Sequence, residues 1–346
     1  MVEQVSVSVV IPTYNAAQTI ERCVEGLRKQ SLMPLEIIIV DNGSSDATVD
    51  YITSVINDFP CKIRLLNEAS RGAAAARNCG VRAASGAWIA FTDSDCIPDK
   101  QWLSSGCDLI KEKNCLAMAG PAWGTMEGDL SAKLLGLTTL SVGCEDHWRE
   151  DAGETGINGF ASANFWINKS LFDQVEGFDE SLTVSGEDYD LCARVFETGT
   201  AVYYSTSLKV RHIHPLGIKT LAAKAVSYGN AHGILFERYG QPGAYFDFVG
   251  GFRKKFPFRK KLWINLVSAD KKMMVLLMLG IVWPLFLLLA LFYPFVPARF
   301  LQRRAKELGE CLSLMDAYFM GWLLILRSLA FTVGRIQGSS LHVWVL

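Results

Sequence analysis

Residues 87–95 read Ala87-Trp88-Ile89-Ala90-Phe91-Thr92-Asp93-Ser94-Asp95, an apolar run that ends in two carboxylates with one residue between them. A short run without polar alternation predicts a strand buried on both faces, the kind found in parallel sheets. In open α/β sheets ligands bind just beyond the carboxyl ends of the strands, which is where Asp93, Ser94 and Asp95 fall. Hard carboxylate oxygens suit Mg²⁺ or Mn²⁺, ions that commonly accompany a diphosphate. Alone, Asp-x-Asp is an ordinary acidic loop, so its weight depends on what stands around it.

Upstream, three more apolar runs alternate with helical stretches. Residues 5–11 are β-branched and predict a strand stopped by Pro12. A helix is expected over 16–30, a strand over 36–40 ending at Asp41, a helix to about residue 57, a strand over 62–66 and an Ala-rich helix over 72–84. Four strand–helix alternations predict an α/β fold, a mostly parallel sheet covered by helices on both faces. Shorter mixed strands are expected from 118 to 210.

Composition narrows the class. The chain has 346 residues, half of them hydrophobic, and a net charge of −1, which gives no basic signature for nucleic acid. Nine cysteines, at 23, 61, 79, 96, 107, 115, 144, 192 and 311, contain no Cys-x-x-Cys and predict reduced thiols in a cytosolic compartment. Met1-Val2-Glu3-Gln4 leads straight into the first strand, so no cleaved leader is expected and the N-terminal part is placed on the cytosolic side.

After Pro215 the pattern changes. Arg253-Lys254-Lys255 and Arg259-Lys260-Lys261 interleave with Phe252, Phe256, Phe258 and Trp263, a mixture that suits an anionic membrane surface. Residues 273–296 carry no charge, and as one helix would reach ~36 Å, enough to cross a ~30 Å hydrocarbon core. Pro284 and Pro294 are possible kinks. A second apolar stretch, 312–334, contains Arg327 and either spans or lies in the interface. Lys271 and Lys272 precede the first segment, while Arg299, Arg303, Arg304 and Lys306 follow it. The positive-inside rule puts both flanks on one side, so the first segment is either a Pro-bent re-entrant hairpin or an exception to the rule; two spans are taken as the expectation. The predicted layout is a catalytic domain over 1–215, basic aromatic interfacial helices over 216–270 and a membrane region over 271–346.

Five elements stand in series at the predicted strand ends: Val10-Ile11-Pro12-Thr13-Tyr14-Asn15, then Val40-Asp41-Asn42-Gly43-Ser44-Ser45-Asp46, then Arg71-Gly72 with Ala76-Arg77-Asn78, then Asp93-Ser94-Asp95, then Gly186-Glu187-Asp188. Each has a plain structural explanation. A lone Asp at 41 could cap the next helix, and acids at 187 and 188 would complement a helix dipole. Asp190 and Arg194, four apart, predict a structural pair.

With Gly177-Phe178-Asp179-Glu180 between the last two, the series resembles glycosyltransferase family 2, the inverting enzymes of GT-A fold that use nucleotide-diphosphate sugars. The resemblance covers residues 5–215 and implies a Rossmann-like GT-A sheet. It implies that Pro12, Thr13, Tyr14, Asn15, Asp41, Asn42 and Arg71 line the nucleotide-sugar site, with Thr13, Asp41 and Arg71 on a base, uracil. Asp93 and Ser94 would lie at the ribose and metal-bound waters, and Asp95 would be the main ligand of Mg²⁺ or Mn²⁺. Asp188 would be the general base and Glu187 its support on the acceptor side. A family histidine completing the metal site matches His212 best, with His214 as the alternative. Imidazole favours Mn²⁺ over Mg²⁺.

Gln-x-x-Arg-Trp, the motif of processive synthases in this family, does not occur after Asp188, so single addition is expected. Trp123, the run 134–140 and His147-Trp148 are candidates for an acceptor site, with a core role favoured. The expected function is transfer of one sugar from a UDP-sugar to a lipid-linked or membrane-proximal hydroxyl at the cytosolic face of the cell membrane. Alternatives are a polyprenyl-phosphate acceptor and a non-catalytic membrane scaffold. A nucleotidyltransferase would need a Gly-rich phosphate loop, and residues 11–30 offer none.

Overall fold

Strands buried on both faces need helices above and below, and the first hundred residues supply them in alternation. The computed structural model describes residues 5–139, 145–248, 252–283, 285–340 and 343–345. Two units are formed: Met1–Gly124, Leu140–Ala152 and Asn158–Ile213 make the first, and Thr125–Thr139, Gly153–Ile157 and His214–Leu346 the second.

The first unit opens with β1 (Val7–Thr13), α1 (Ile20–Arg28), β2 (Glu36–Asp41), α2 (Thr48–Val55), β3 (Lys62–Asn67), α3 (Ala73–Ala83), β4 (Trp88–Thr92), β5 (Cys96–Pro98), α4 (Trp102–Lys113), β6 (Ala117–Ala119) and β7 (Ala122–Gly124). After α5 (Leu130–Thr138), which belongs to the second unit, come β8 (His147–Arg149), β9 (Asn164–Asn168), α6 (Lys169–Gln174), α7 (Glu187–Glu197), β10 (Val202–Tyr204) and β11 (Val210–His212). Eight strands form one sheet in the order β3-β2-β1-β4-β9-β6-β10-β8. The first four run parallel, and β9 is antiparallel to both β4 and β6.

Register fixes the site's location. Thr13 pairs with Asp41 and Asp41 with Asn67, so the carboxyl ends of three neighbouring strands lie in a row. Alternate residues of each strand feed opposite cores: Val9, Ile11, Ile37 and Ile39 pack with α1 and α4, and Val10, Ile38, Val40, Ile89 and Phe91 pack with α3 and α7. The predicted two-sided burial is what forms. Close approach is built in at Gly80, where a Cβ would sit 2.5 Å from Val10 Cγ1. One boundary differs from expectation. Pro12 does not stop β1, which runs on to Thr13. Pairing with β4 ends at Val10, so at Pro12 the strand is open on that side, where a proline is tolerated.

The second unit adds α8 (Ile218–Tyr239), β12 (Gly243–Asp247), β13 (Arg253–Phe256), β14 (Lys261–Asn265), α9 (Ala269–Val282), α10 (Leu285–Phe292), α11 (Phe295–Glu307), α12 (Leu314–Gln337) and β15 (Val343–Val345). The basic aromatic stretch expected as interfacial helices is a sheet instead, in the order β13-β12-β14-β15. The reason is pairing. Asp247 lies opposite Arg253 on the antiparallel neighbour, receives its guanidinium, and accepts the Trp263 indole N–H at 2.7 Å from β14. Lysines along β13 protect an edge strand.

The single helix expected over 273–296 is also broken. Trp283 is extended (φ −139°, ψ 106°), as the residue before a proline tends to be. The chain then doubles back, so that a side chain at Gly280 would meet Leu287. By length and composition, Leu285–Glu307 and Leu314–Gln337 suffice to cross a membrane.

Helices α8 and α12 cross through glycines. Gly229 and Gly233 on one face Gly334 and Gly338 on the other, four residues apart in each, and a Cβ at Gly334 would press on the Val226 carbonyl. This small-xxx-small contact lets backbones touch. Gly334→Leu is expected to cost roughly 1–3 kcal/mol through overpacking, read as a lowered Tm of the detergent-solubilised protein; an unchanged Tm would mean the crossing is not tight in solution.

Candidate active site

Three loops meet at the strand ends, and their side chains tie them together. Asn15 adopts φ +46°, and its Oδ1 accepts the Ser45 N–H at 2.8 Å while its own N–H reaches Ser44 Oγ at 2.9 Å. Asp41 is buried and accepts the N–H groups of Gly43 and Ser44 at 3.2 Å, the local turn role that a lone Asp could have had. Asn42 spends its amide on the next loop: Nδ2 donates to the carbonyls of Glu68 and Ser70 at 2.8 and 2.7 Å, and Oδ1 accepts the Gly72 N–H at 2.8 Å. It thereby positions Arg71, which is exposed. Pro12 and Thr13 are buried within β1, whereas Tyr14 is 63% exposed beyond it.

Beyond β4 the chain makes a tight turn, closed by the Cys96 N–H on the Asp93 carbonyl at 3.0 Å, with Ser94 and Asp95 at its tip. Next, β5 pairs antiparallel with β11, His212 opposite Cys96. The Ile213 N–H holds the Asp95 carbonyl at 2.8 Å. His212 Nε2 therefore lies 3.4 Å from Asp95 Oδ1, and Asp95, Cys96 and His212 can bring ligand atoms within 4.8 Å of one another. Burial, with added repulsion from Asp95 and Asp93, raises the Cys96 thiol well above its ordinary value, and a soft sulfur suits Mg²⁺ or Mn²⁺ poorly. What remains is one carboxylate oxygen and one imidazole nitrogen. That donor set fits a divalent ion whose other positions are filled by diphosphate and water. His214, the alternative from sequence, belongs to the second unit, where its Nε2 is 3.5 Å from Thr139 Oγ1.

A residue without an assigned role joins the two halves of the constellation. Arg77 on α3 is 4% exposed. Its guanidinium donates to Asp93 Oδ1 at 2.7 Å and to Glu187 Oε1 at 2.8 Å, and lies over the Phe178 ring at 5.5 Å. Its Nε has no hydrogen-bond partner among the described residues. The sequence signal was a charge following directly on the alanine run of α3. Asn78, its neighbour, clamps the Gly177-Phe178-Asp179-Glu180 loop through the Phe178 N–H and carbonyl, both at 2.9 Å, and Glu180.

Gly186 (φ +96°) turns the chain into α7, placing Glu187 and Asp188 in its first turn. Asp188 accepts the Ser162 N–H at 3.3 Å and the Tyr189 N–H at 2.9 Å. Burial first, then the Glu187 charge, push its carboxyl up to about 7, against the opposing pull of Arg77. A carboxylate poised there can take a proton near neutral pH. Asp190 and Arg194 pair at 2.7 Å, as spacing predicted.

The acceptor-site candidates scatter. His147 is half-buried with its ring tilted against Tyr204 at 5.0 Å, Trp148 is half-exposed, and Trp123 lines a different cavity with Lys209 and Arg211. The run 134–140 falls in α5 of the second unit, with Leu140 outside the described residues.

Residues 8–175 match the model of Glycosyl transferase family 2. The chain is 30% identical over 249 residues to a Mycobacterium tuberculosis protein called Pre-mycofactocin glycosyltransferase, covering 71% of this chain and 50% of that protein. It is 38% identical over 203 residues to Glycosyltransferase AglE of Haloferax volcanii, covering 58% and 64%. The chain thus spans about half to two-thirds the length of these relatives. Among solved structures, the mannosyltransferase PcManGT from Pyrobaculum calidifontis, in complex with GDP-Man and Mn²⁺, shares the fold at 20% identity and a TM-score of 0.52, over 68% of this chain and 65% of its own.

Arg77→Met would leave two acids facing each other without a counter-charge. A loss of about 3 kcal/mol is expected, measured by urea unfolding of the full chain against wild type. A difference within ±0.5 kcal/mol would mean the bridge is not formed in solution.

Proposed function

From the premise that the chain belongs to glycosyl transferase family 2, we propose that it transfers one sugar from a nucleotide-diphosphate sugar, a UDP-sugar, to a hydroxyl of a lipid-linked or membrane-proximal acceptor, with inversion. The observation that carries this is the Arg77 bridge, which joins the Asp93-Ser94-Asp95 turn to the helix start bearing Asp188. Donor-side and acceptor-side carboxylates are thereby held as one unit. A scaffold would not need that arrangement.

In this reading Thr13, Asp41 and Arg71 receive the base, Asn15 and Asn42 hold the loops in place, and Asp93 orders the ribose end. Asp95 and His212 would hold the divalent ion, Mn²⁺ in preference to Mg²⁺ given the imidazole. Bound, such an ion offsets charge growing on the departing diphosphate. Asp188 accepts the acceptor hydroxyl's proton in a single in-line displacement, and Glu187, fixed by Arg77, keeps the local field that favours its protonated form at rest. The exposed apolar faces of α9, α10 and α12 support attachment to the cell membrane, with the site on the cytoplasmic side near a lipid-borne acceptor, whose effective concentration rises accordingly.

Purified protein is expected to hydrolyse one donor slowly from a panel of UDP-, GDP- and dTDP-sugars with Mn²⁺, the activity vanishing with EDTA and in Asp95→Ala. Absence of both turnover and donor-induced stabilisation in wild type would sink the enzymatic reading.

The pH profile of transfer provides an independent check. Because the Asp188 pKa is raised, its basic form is lost as pH falls through about 7, so the rate is expected to rise from pH 5.5 to 8, limits chosen at about one unit or more either side. Asp188→Asn should lower transfer to a hydroxyl by roughly 10²–10⁴-fold. Full retention of rate would point instead to an acceptor already ionised, such as a polyprenyl phosphate.

A further inference from the structure

Cations in apolar surroundings are costly unless something answers them, and in membrane-facing segments they commonly mark a ligand. In the second unit three of them line one cavity of about 450 Å³: Lys272 from α9 and Arg327 and Arg335 from α12. Its walls include Tyr293, Phe300 and Leu324, and no Asp or Glu is among the described residues that line it.

The nearby acids are already engaged. Asp270 accepts the hydroxyls of Ser328 and Thr332 at 2.7 and 2.8 Å and pairs with Lys271 at 3.2 Å. Asp247 is taken by Arg253 and the Trp263 indole. Arg335 is 5% exposed, stacked over Trp263 at 4.4 Å and Phe331 at 4.9 Å, with one terminal nitrogen 3.4 Å from His232 Nδ1. Its Nε finds no hydrogen-bond partner among the described residues. Neither Lys272 nor Arg327 makes an ion pair among them.

Position indicates the kind of anion. Helix α9 passes from Lys271-Lys272 directly into an uncharged run, and Met278, Ile281, Leu285 and Leu288 beyond it are exposed. The cations therefore stand where polar surface gives way to apolar surface, the level of lipid headgroups. We propose that this cavity binds the anionic phosphate head of a membrane lipid, with the lipid chain lying along the exposed apolar faces of α9 and α10. The proposal rests on the membrane reading above and adds to it a specific lipid site outside the transfer centre.

The test is calorimetric titration of the full chain in neutral detergent with dioctanoyl phosphatidate, dioctanoyl phosphatidylcholine and inorganic phosphate. Saturable binding of phosphatidate, weaker binding of the other two, and a loss of about tenfold in affinity for each of Arg327→Gln and Lys272→Gln are expected, the size of one charge-assisted hydrogen bond. The two variants sit on different helices, and an unchanged Tm shows that each still folds. Equal affinity for inorganic phosphate would assign the cavity to a soluble anion and overturn the lipid claim. Affinity unchanged in both variants, or no phosphatidate binding by protein that still responds to nucleotide sugar, would overturn the site. Extraction of the protein from membranes by salt alone would instead refute the membrane reading.

Discussion

A guanidinium removed from water costs several kcal/mol unless carboxylates and good geometry answer it. Arg77 meets that requirement with two acids from segments far apart in sequence, Asp93 sixteen residues on and Glu187 a hundred and ten. Neither acid can drift without leaving the buried charge exposed to its own desolvation cost. The small residues around it follow from the same constraint. Ala74, Ala75 and Ala76 are buried, and Gly80 lets α3 lie against Val10, so the helix is close enough to the sheet for one side chain to reach both loops. Asn78, one residue further, closes the Gly177–Glu180 loop on the same helix.

The bridge also separates the behaviour of neighbouring carboxylates. Asp188 lies beside Glu187, and two adjacent acids cannot both ionise freely. Arg77 spends its attraction directly on Asp93 and Glu187, and reaches Asp188 only as an opposing influence weaker than burial. The result is an acid paired with a guanidinium next to one whose carboxyl is pushed up to about 7. This is the arrangement by which one environment yields distinct roles for like groups.

The sheet was legible because burial on both faces leaves an unbroken apolar run, and the ends of those runs mark the ligand rim directly. Asp93 and Asp95 stood out for that reason, whereas Asp188, in the first turn of α7, drew attention only through the series of motifs as a whole. Arg77 could not be given a role, since its partners are set by tertiary contact, which the helix sequence does not display. His212 and His214 share a sequence neighbourhood, yet strand register sets His212 opposite Cys96 while His214 falls in the other unit beside Thr139. The basic aromatic stretch misled because charge and aromatics suit both an interfacial helix and an edge strand. Only the opposing Asp247 on β12 decides between them. The paired Gly-x-x-x-Gly motifs of α8 and α12 were present in the sequence, but a single such motif names no partner.

Strand pairing also limits how the apolar segments can meet a bilayer. β14 ends three residues before the N-cap of α9, and β15 begins six residues after α12 ends. The two strands are joined in register, Lys261 with Val343 and Trp263 with Val345. Chain entering the apolar region and chain leaving it are therefore fixed to one sheet, and a sheet with polar edges stays on one side of the membrane. The number of crossings between them must then be even. A lone span at 273–296 is incompatible with that unless 314–337 returns the chain. The doubling back at Trp283 leaves two other solutions: α9, at ~21 Å too short to cross, and α10 would enter and leave from the same face, or Leu285–Glu307 and Leu314–Gln337, each long enough to span, would cross as a pair. Of these, the re-entrant arrangement is the one in which the basic residues on both flanks of the first apolar segment agree with the positive-inside rule.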